Sequence, residues 1–148
     1  MKILVQKENF SIDDLQKIKK FILTESERSK NLMGINESII DSYLFKNDNE
    51  YDFWLLKNKI TVVGLLVFQK SHSDYGDIFI NLIYIRKRYR QKDNGYLLLT
   101  ELKKISNKLT CNVNEGNNNM YKLLKKLNMV GLESIITDCE PYIWYTVT

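Results

Sequence analysis

The stretch from Asp77 to Gly95, DIFINLIYIRKRYRQKDNG, constrains the fold of this chain more than any other segment. Its first half is rich in β-branched and aromatic residues and predicts a strand, whereas the following GYLLLTELKK consists of helix formers. A short basic turn joins the two. Because the first N–H groups of a helix have no partner within it, and because the helix dipole favours negative charge there, the arrangement predicts an anion site.

The charge and the glycine of this turn allow two structural interpretations. A run of like charges is by itself typical of a solvated loop, and Asp-Asn-Gly is also a hairpin signal. The helix formers after Gly95, with no second strand run, favour a helix start. The cationic side chains that would surround an anion there are Arg86, Lys87, Arg88, Arg90 and Lys92.

Length and composition describe an ordinary globular chain. With 148 residues, 44% hydrophobic and 27% charged, and a single Pro, the sequence predicts one domain over residues 1–148 with its own core. The net charge of +4 is concentrated in residues 86–92 and in the lysines of 103–126. Such a charge suits a small polyanion at least as well as nucleic acid, so charge alone leaves the choice open.

Cysteine spacing and apolar runs bear on the compartment. Cys111 and Cys139 are far apart with no histidine beside them, which predicts free thiols rather than a zinc site or a disulfide framework. The N-terminus lacks the apolar run of a signal peptide, and no stretch of about 18 apolar residues could cross a bilayer. We therefore expect a cytoplasmic protein with no metal and no membrane partner.

Hydrophobic periodicity places the remaining elements. The first helix has a clear start, with Ser11 as N-cap and Asp14 three residues on. Two later strand-helix-strand passages need crossovers, whereas the hairpins at Lys57-Asn58-Lys59 and at a turn over Asp138 to Pro141 are antiparallel. The fold class is α/β or α+β with a mixed sheet. Strands are predicted at 1–6, 51–58, 60–70, 77–85, 108–114, 130–137 and 142–148, and helices at 11–30, 33–48, 95–106 and 120–129.

In this order, the elements and their residues resemble the GCN5-related N-acetyltransferase family, often called GNAT, over nearly the whole chain. That family ends a strand in a turn of the form Arg/Gln-x-x-Gly-x-Gly/Ala, which Arg90-Gln91-Lys92-Asp93-Asn94-Gly95 resembles. WLLKNKITVVGLLVF is similar to the family's central hairpin, with Gly64 at its usual glycine. Asn117 and KLLKKLNM resemble its Asn-x-x-Ala-x-x-x-Tyr-x-x-x-Gly-Phe segment.

The chain departs from the family pattern at three places. Asp93 replaces the first glycine of the turn; its carboxylate would repel a pyrophosphate or cap the N–H groups that a phosphate needs, unless it turns outward. Leu124 replaces a tyrosine that protonates the leaving thiolate, and Tyr121, one turn earlier, is a substitute. Asn128-Met129 replaces Gly-Phe, a mild change, because asparagine tolerates left-handed backbone and methionine fills an apolar pocket.

The resemblance implies a GNAT-like mixed, mostly antiparallel central sheet of about seven strands, with about four helices on both faces. It also implies acetyl-coenzyme A as acyl donor, its pantetheine arm pairing with the strand edge at Ile83 and Ile85. Tyr121 and Asn81 are the catalytic candidates, Asn81 because some relatives place a glutamate base there. The residues expected to bind the cofactor are Ile83, Tyr84, Ile85, Arg90, Gln91, Lys92, Asp93, Asn94, Gly95, Tyr96, Asn117 and Tyr121.

The leading hypothesis is transfer of an acetyl group to a primary amine, on a small molecule or a protein, by direct attack in a ternary complex. The alternative is a catalytically weak or inactive GNAT-like module that binds coenzyme A, nucleic acid or a protein partner. No RNP-like, zinc or helix-turn-helix signature supports nucleic acid. The acceptor, the base (with Glu50, Asp74 and Asp77 as carboxylate candidates) and the oligomeric state, a homodimer included, stay open.

Overall fold

The computed structural model describes residues 2–26, 51–70, 78–106, 108–114, 118–131 and 139–145, in which strands and helices follow the predicted order. The second predicted helix, at 33–48, lies outside these residues. The strands are β1 (Lys2–Gln6), β2 (Asp52–Asn58), β3 (Thr61–Lys70), β4 (Ile78–Ile85), β5 (Lys108–Asn114), β6 (Val130–Gly131) and β7 (Cys139–Tyr145). The helices are α1 (Ile12–Ser26), α2 (Asn94–Lys103) and α3 (Asn118–Lys126), with 3-10 turns at Lys7–Asn9 and Lys87–Tyr89.

The strands form one seven-stranded sheet in the order β1-β2-β3-β4-β5-β7-β6. Only β4 and β5 are parallel neighbours, which confirms the mixed, mostly antiparallel sheet. The predicted turn through Pro141 is wrong, because β7 begins at Cys139 and Pro141 pairs with Asn112. The pairing of β6 with β7 reaches only as far as Tyr142, so at Pro141 the described neighbour of β7 is β5 alone. The N–H that proline lacks is therefore tolerated there.

Helices cover both faces of the sheet, as predicted. Consecutive residues of β2 and β3 are buried because they point alternately to two cores. One core joins Phe53, Leu55, Leu65 and Val67 to Ile18, Phe21 and Ile22 of α1. The other joins Trp54, Leu56, Leu66 and Phe68 to Leu98, Leu99 and Leu102 of α2, to Leu124 of α3 and to Leu127, which directly follows α3. The two cores fix α1 on one face and α2 with α3 on the other.

The start of α1 carries the predicted capping box. Ser11 N–H donates to Asp14 Oδ2 and Asp14 N–H donates to Ser11 Oγ, both at 3.0 Å. Asp14 also accepts a hydrogen bond from Lys57 Nζ of β2 at 2.7 Å. Burial raises the pKa of Asp14, but the bonds from Lys57 and Ser11 and the charge of Lys57 outweigh it, so the pKa lies below its ordinary value. The box thereby ties α1 to the sheet.

The end of α3 confirms the interpretation of Asn128-Met129. Asn128 adopts a left-handed φ of 61°, its N–H donates to Lys125 C=O at 3.0 Å, and Met129 N–H donates to Leu124 C=O at 2.9 Å. These are the two bonds of a Schellman motif, in which glycine is usual and asparagine is tolerated. Met129 is buried in the core that contains α2 and α3.

Cys111 is a free cysteine buried in β5. Burial raises the pKa of its thiol to about 12, so the sulfur is protonated and unreactive at neutral pH, as predicted. Among the described helices, none has the length and apolar character needed to cross a membrane.

We expect Ser11→Ala to destabilise the protein by about 1 kcal/mol, because it removes one half of the capping box. Urea unfolding at neutral pH measures the change, and Gln16→Ala, an exposed substitution in the same helix, is the control. The Asp14 contribution is present above the ordinary aspartate pKa and is lost as the pH falls through the lowered value. The capping box would be contradicted if Ser11→Ala and Gln16→Ala lowered the free energy of unfolding equally. It would also be contradicted if the effect of Ser11→Ala were unchanged at acid pH, where Asp14 is protonated.

Candidate active site

An opening between β4 and β5 creates the site. The two strands pair only at Ile78 to Ile80 with Leu109 to Cys111, and beyond Ile80 the edge of β4 has no described strand beside it. On its other edge β4 stays paired with β3 as far as Ile85. The parallel neighbours therefore separate like the arms of a V, and the last part of β4 faces the gap.

Two local features shape this part of β4. Asn81 is the extra residue of a β-bulge, because Ile80 pairs with Phe68 and Leu82 with Val67. At the end of the strand, a Cβ on Gly64 of β3 would lie 2.5 Å from Ile85 Cδ1 and 3.0 Å from the Tyr84 carbonyl oxygen. A side chain at residue 64 would displace the Ile85 side chain and crowd the Tyr84 carbonyl, so glycine is favoured there, in agreement with its predicted place in the central hairpin.

A cavity of about 440 Å³ lies at the end of β4, between that strand and α3. Its walls are the end of β4, the turn that follows, the start of α2 and one face of α3. The lining residues are Ile83, Tyr84, Ile85, Tyr89, Arg90, Gln91, Asp93, Asn94, Gly95, Tyr96, Asn119, Met120, Lys122, Leu123 and Lys126. The cavity is apolar where β4 faces Leu123 and polar where the turn meets α2.

The turn presents free backbone donors to the cavity. Gln91 and Asp93 both adopt left-handed backbone, with φ values of 59° and 61°. The first bond of α2 is from Leu97 N–H to the Asp93 carbonyl oxygen, and no side chain caps the helix start. Within the described residues, the N–H groups of Asn94, Gly95 and Tyr96 consequently have no hydrogen-bond partner. Convergent donors at the positive end of a helix favour a bound anion, and the anion site at this turn stays a prediction.

Asn94 holds this turn in place. Its side chain is 2% exposed, and Nδ2 donates to the Tyr89 carbonyl oxygen at 2.8 Å, which links the helix start to the preceding 3-10 turn. Its Oδ1 is buried and lacks a partner in the described part of the chain. An unpaired buried acceptor costs about 1–3 kcal/mol, so the bond from Nδ2 to Tyr89 is made at the expense of this oxygen.

Gly95 leaves the space in front of those donors. A Cβ at this residue would lie 3.1 Å from Leu123 Cδ2, 3.9 Å from Ile85 Cγ1 and 4.0 Å from Ile83 Cδ1. A side chain would therefore project into the gap between β4 and α3. Its absence lets a ligand approach the backbone closely.

Asp93 turns outward and does not cap α2. Its Oδ1 accepts a hydrogen bond from Lys126 Nζ of α3 at 2.7 Å, and the Lys126 ammonium lies 4.5 Å from the centre of the Tyr96 ring. The bond from Lys126, together with its charge, lowers the pKa of Asp93. Aspartate is among the few non-glycine residues that tolerate left-handed backbone, which explains how it replaces the family's glycine here.

Arg90 is held at the end of β4. Its Nε donates to the Ile85 carbonyl oxygen at 2.8 Å, and its guanidinium lies 5.0 Å from the centre of the Tyr84 ring. Both contacts fix the side chain without neutralising its charge. Lys92, by contrast, is exposed and is not among the lining residues.

The structure brings most of the predicted cofactor residues together around the cavity. Tyr121 is half-buried and packs against the core beside Leu124 without lining the cavity, and Asn117 lies outside the described residues. Asn81 is exposed on the bulge, where its Nδ2 donates to Oε1 of the buried Gln69 at 2.8 Å. His72, Glu50, Asp74 and Asp77 also lie outside the described residues.

Sequence reasoning missed the α3 wall of the cavity. Asn119, Lys122, Leu123 and Lys126 line it, together with Met120 and with Tyr89 from the 3-10 turn. Their spacing of three and four residues was a visible signal for one helix face. It did not show that this face, rather than the one with Tyr121 and Leu124, meets the cavity, because that depends on how α3 packs.

Comparisons with known proteins agree on one family. A model described as the Acetyltransferase (GNAT) family matches residues 19–129. A Thermus thermophilus acetyltransferase is similar in structure, with a TM-score of 0.77 at 15% identity over 99% of this chain and 97% of that one. A Bacillus cereus GNAT-family acetyltransferase gives 0.70 at 22% identity over 99% and 96%.

Arabidopsis thaliana NAA60 in complex with acetyl-CoA gives a TM-score of 0.74 at 11% identity over 98% of each chain. At these identities the structural likeness concerns the fold. None of the curated proteins compared with the chain matches it in sequence.

We expect the pKa of the Asp93 carboxyl to lie below the ordinary aspartate value. The Lys126→Met substitution should return this pKa to the ordinary range, because it removes the hydrogen bond and the charge that lower it. The ion pair is formed above the ordinary pKa and is lost as the pH falls through the lowered one. Carboxyl-carbon NMR shifts of Asp93 measure both titrations, with Lys125→Met, one residue away, as the control. Identical curves in the Lys126→Met variant and the unsubstituted protein would refute the pair.

Proposed function

The chain belongs to the GNAT acetyltransferase family, whose acyl donor is acetyl-coenzyme A, and from this we propose that it transfers the acetyl group to a primary amine. We propose direct attack in a ternary complex, with no acyl-enzyme. The observation that carries the proposal is the set of N–H groups at Asn94, Gly95 and Tyr96, which have no partner in the described part of the chain and belong to residues that line the cavity at the end of β4.

The residues present fit the donor. Its pyrophosphate matches the free N–H groups of the α2 start, and Gly95 leaves the room that a phosphate needs for close approach. Arg90 adds a fixed positive charge at the same end. The edge of β4 beyond Ile80 offers main-chain groups to the amides of the pantetheine arm, in the manner of an added strand. Lys126 is a further phosphate ligand if it releases Asp93.

Acetyl-coenzyme A supplies a thioester carbonyl that an amine can attack, with a thiolate as leaving group. On the protein side, the bulge at Asn81 and the open edge of β4 hold the reacting groups near one another, and positioning supplies much of the rate. An amide cannot remove a proton, so Asn81 binds the acceptor amine through its oxygen, and water takes the proton. Tyr121, the side-chain candidate for protonating the thiolate, does not line the cavity, so water is the alternative proton donor.

The acceptor amine belongs to a small molecule or to a protein. Both classes fit an opening that exposes Asn81 at the strand edge. A single domain over residues 1–148 and a cytoplasmic location remain predictions. The second candidate function is a coenzyme A-binding module with little turnover, and the observation that favours it is Leu124, fully buried in the core where the family's tyrosine acid would stand.

One assay separates these functions. The purified chain is titrated with acetyl-coenzyme A by calorimetry and is then incubated with spermidine, an amino sugar and a lysine-containing peptide, while thiol release and the acetylated product are measured. Binding with thiol release and a matching product supports the transferase. Binding without release for any amine supports the module. Absence of binding would overturn both.

We expect Gly95→Pro to weaken acetyl-coenzyme A binding by at least about 100-fold, because it removes one N–H donor and fills the space in front of the others. Proline is tolerated in the first turn of a helix, so the fold is preserved. Gly95→Ala, which keeps the N–H and adds only a methyl group, is expected to have an intermediate effect. Calorimetry measures all affinities.

Gln91→Ala is the control for this series, since it alters a side chain of the same turn and leaves the donors in place. Its affinity is expected to stay within about twofold of the unsubstituted protein. If Gly95→Pro and Gln91→Ala bind equally well, the α2 start is not the phosphate site.

We expect Asp93→Gly to strengthen acetyl-coenzyme A binding by about five- to tenfold. The substitution removes a negative charge that repels the phosphates and frees Lys126 to contact them. It also places glycine, which adopts left-handed backbone without strain, at a residue with that conformation. Lys126→Met should weaken binding by a similar factor. Calorimetry at two salt concentrations measures both, since screening must shrink each effect. Weaker binding by Asp93→Gly would instead identify the Asp93–Lys126 pair as a structural support of the turn.

A further inference from the structure

A second cavity, of about 1170 Å³, lies on the α1 face of the sheet. We call it the basic cavity. Its walls are α1, the start of β3, the end of β4 and the 3-10 turn after β4. The cavity described above faces α3 instead, and the two share only Tyr84 and Arg90, at the end of β4.

Positive charge dominates the described lining of the basic cavity. Its cations are Lys17, Lys20, Arg86, Lys87, Arg88 and Arg90, and the described lining includes no carboxylate. Lys17 pairs with Asp13 at 2.8 Å, outside the lining. Within the described residues, Lys20, Arg86, Lys87 and Arg88 form no ion pair. Six cations around one space repel one another, so this arrangement favours an anion that relieves the repulsion.

Arg86 is placed as an anion ligand would be. Its guanidinium lies 5.0 Å from the centre of the Phe21 ring, which orients the group toward the cavity. Its Nε is buried and has no hydrogen-bond partner in the described part of the chain. A buried charged donor without a partner is costly, and a phosphate oxygen would satisfy it through the two-pronged contact that arginine makes with phosphate.

The aromatic rings argue for a compact polyanion over a nucleic acid strand. Proteins bind single strands by stacking bases on exposed aromatic faces. Phe21 and Tyr84 are only 3% and 5% exposed, and the guanidiniums of Arg86 and Arg90 lie over them. No ring in the described lining is therefore open to a base. The described lining recognises charge and offers no stacking surface.

We propose that the basic cavity binds a compact polyphosphate, at a site separate from that of acetyl-coenzyme A. Because Arg90 lines both cavities, a polyphosphate that engages its guanidinium offsets the positive charge that the donor site shares, and two polyanions near one arginine repel each other. Binding of the polyphosphate therefore lowers the affinity for acetyl-coenzyme A. By linkage, acetyl-coenzyme A lowers the affinity for the polyphosphate by the same factor.

Inorganic tripolyphosphate is the probe. It is titrated by calorimetry into the full chain in the absence of acetyl-coenzyme A, at about the physiological ionic strength of 0.15 M. This measurement does not depend on the proposed transferase activity. Lys20→Glu tests the site, because Lys20 is exposed and its loss leaves the core unchanged. Lys70→Glu is the matched control: it changes the charge equally, on an exposed lysine at the far end of β3.

We expect tripolyphosphate to bind at least about tenfold more weakly to Lys20→Glu than to the unsubstituted protein, and to bind Lys70→Glu within about twofold of normal. A fixed excess of tripolyphosphate should lower the affinity for acetyl-coenzyme A, and less so in Lys20→Glu. Equal weakening by both variants, or no binding to the unsubstituted protein, would overturn the site.

Two further measurements exclude other ligands. If Lys20→Glu weakens coenzyme A but not 3′-dephospho-coenzyme A, the cavity belongs to the donor's own 3′-phosphate, and the proposal fails. If a single-stranded oligonucleotide binds more tightly than tripolyphosphate and loses affinity in Lys20→Glu, the surface is a nucleic-acid site, and the proposal fails as well.

Discussion

The separation of β4 from β5 is the constraint on which the site depends. Parallel strands that stayed paired would satisfy each other's main-chain groups and close the sheet. Here pairing stops after Ile80, next to the bulge at Asn81, and the strands diverge toward the start of α2. The separation leaves one edge of β4 unpaired and places the free N–H groups of α2 near the end of that strand. It also leaves a space beside β4, of which α3 forms one wall. A strand that continued its ladder would remove all three.

Asp93 illustrates how a chain can keep a site while losing a residue typical of it. The turn needs left-handed backbone at this residue, and its φ of 61° explains why the family uses glycine. Aspartate accepts that conformation at a modest cost, and its carboxylate is drawn away from the donors by Lys126. The pair holds the turn against α3, but it also occupies a cation that would otherwise face a phosphate. Stability of the turn and anion binding therefore oppose each other here.

Arginine chemistry organises both faces of the sheet at the end of β4. Arg90 is fixed by the Ile85 carbonyl and the Tyr84 ring, and Arg86 by the Phe21 ring. Among the described residues, no carboxylate neutralises either guanidinium. Aromatic rings hold cations in place without cancelling their charge, which a carboxylate would do. The chain thus keeps positive charge at a defined place, available to anions on the α3 side and on the α1 side.

The sequence by itself determined the strand, turn and helix of Ile78 to Lys103, the capping box of Ser11 and Asp14 and the helix end at Asn128, because each depends on contacts a few residues apart. It left open the direction of Asp93, since its partner Lys126 is 33 residues away. It misplaced Pro141, whose pairing with Asn112 is equally remote. Which face of α3 lines the cavity, and the cavity on the α1 side, were decided only by tertiary packing, because they join residues that no local pattern relates.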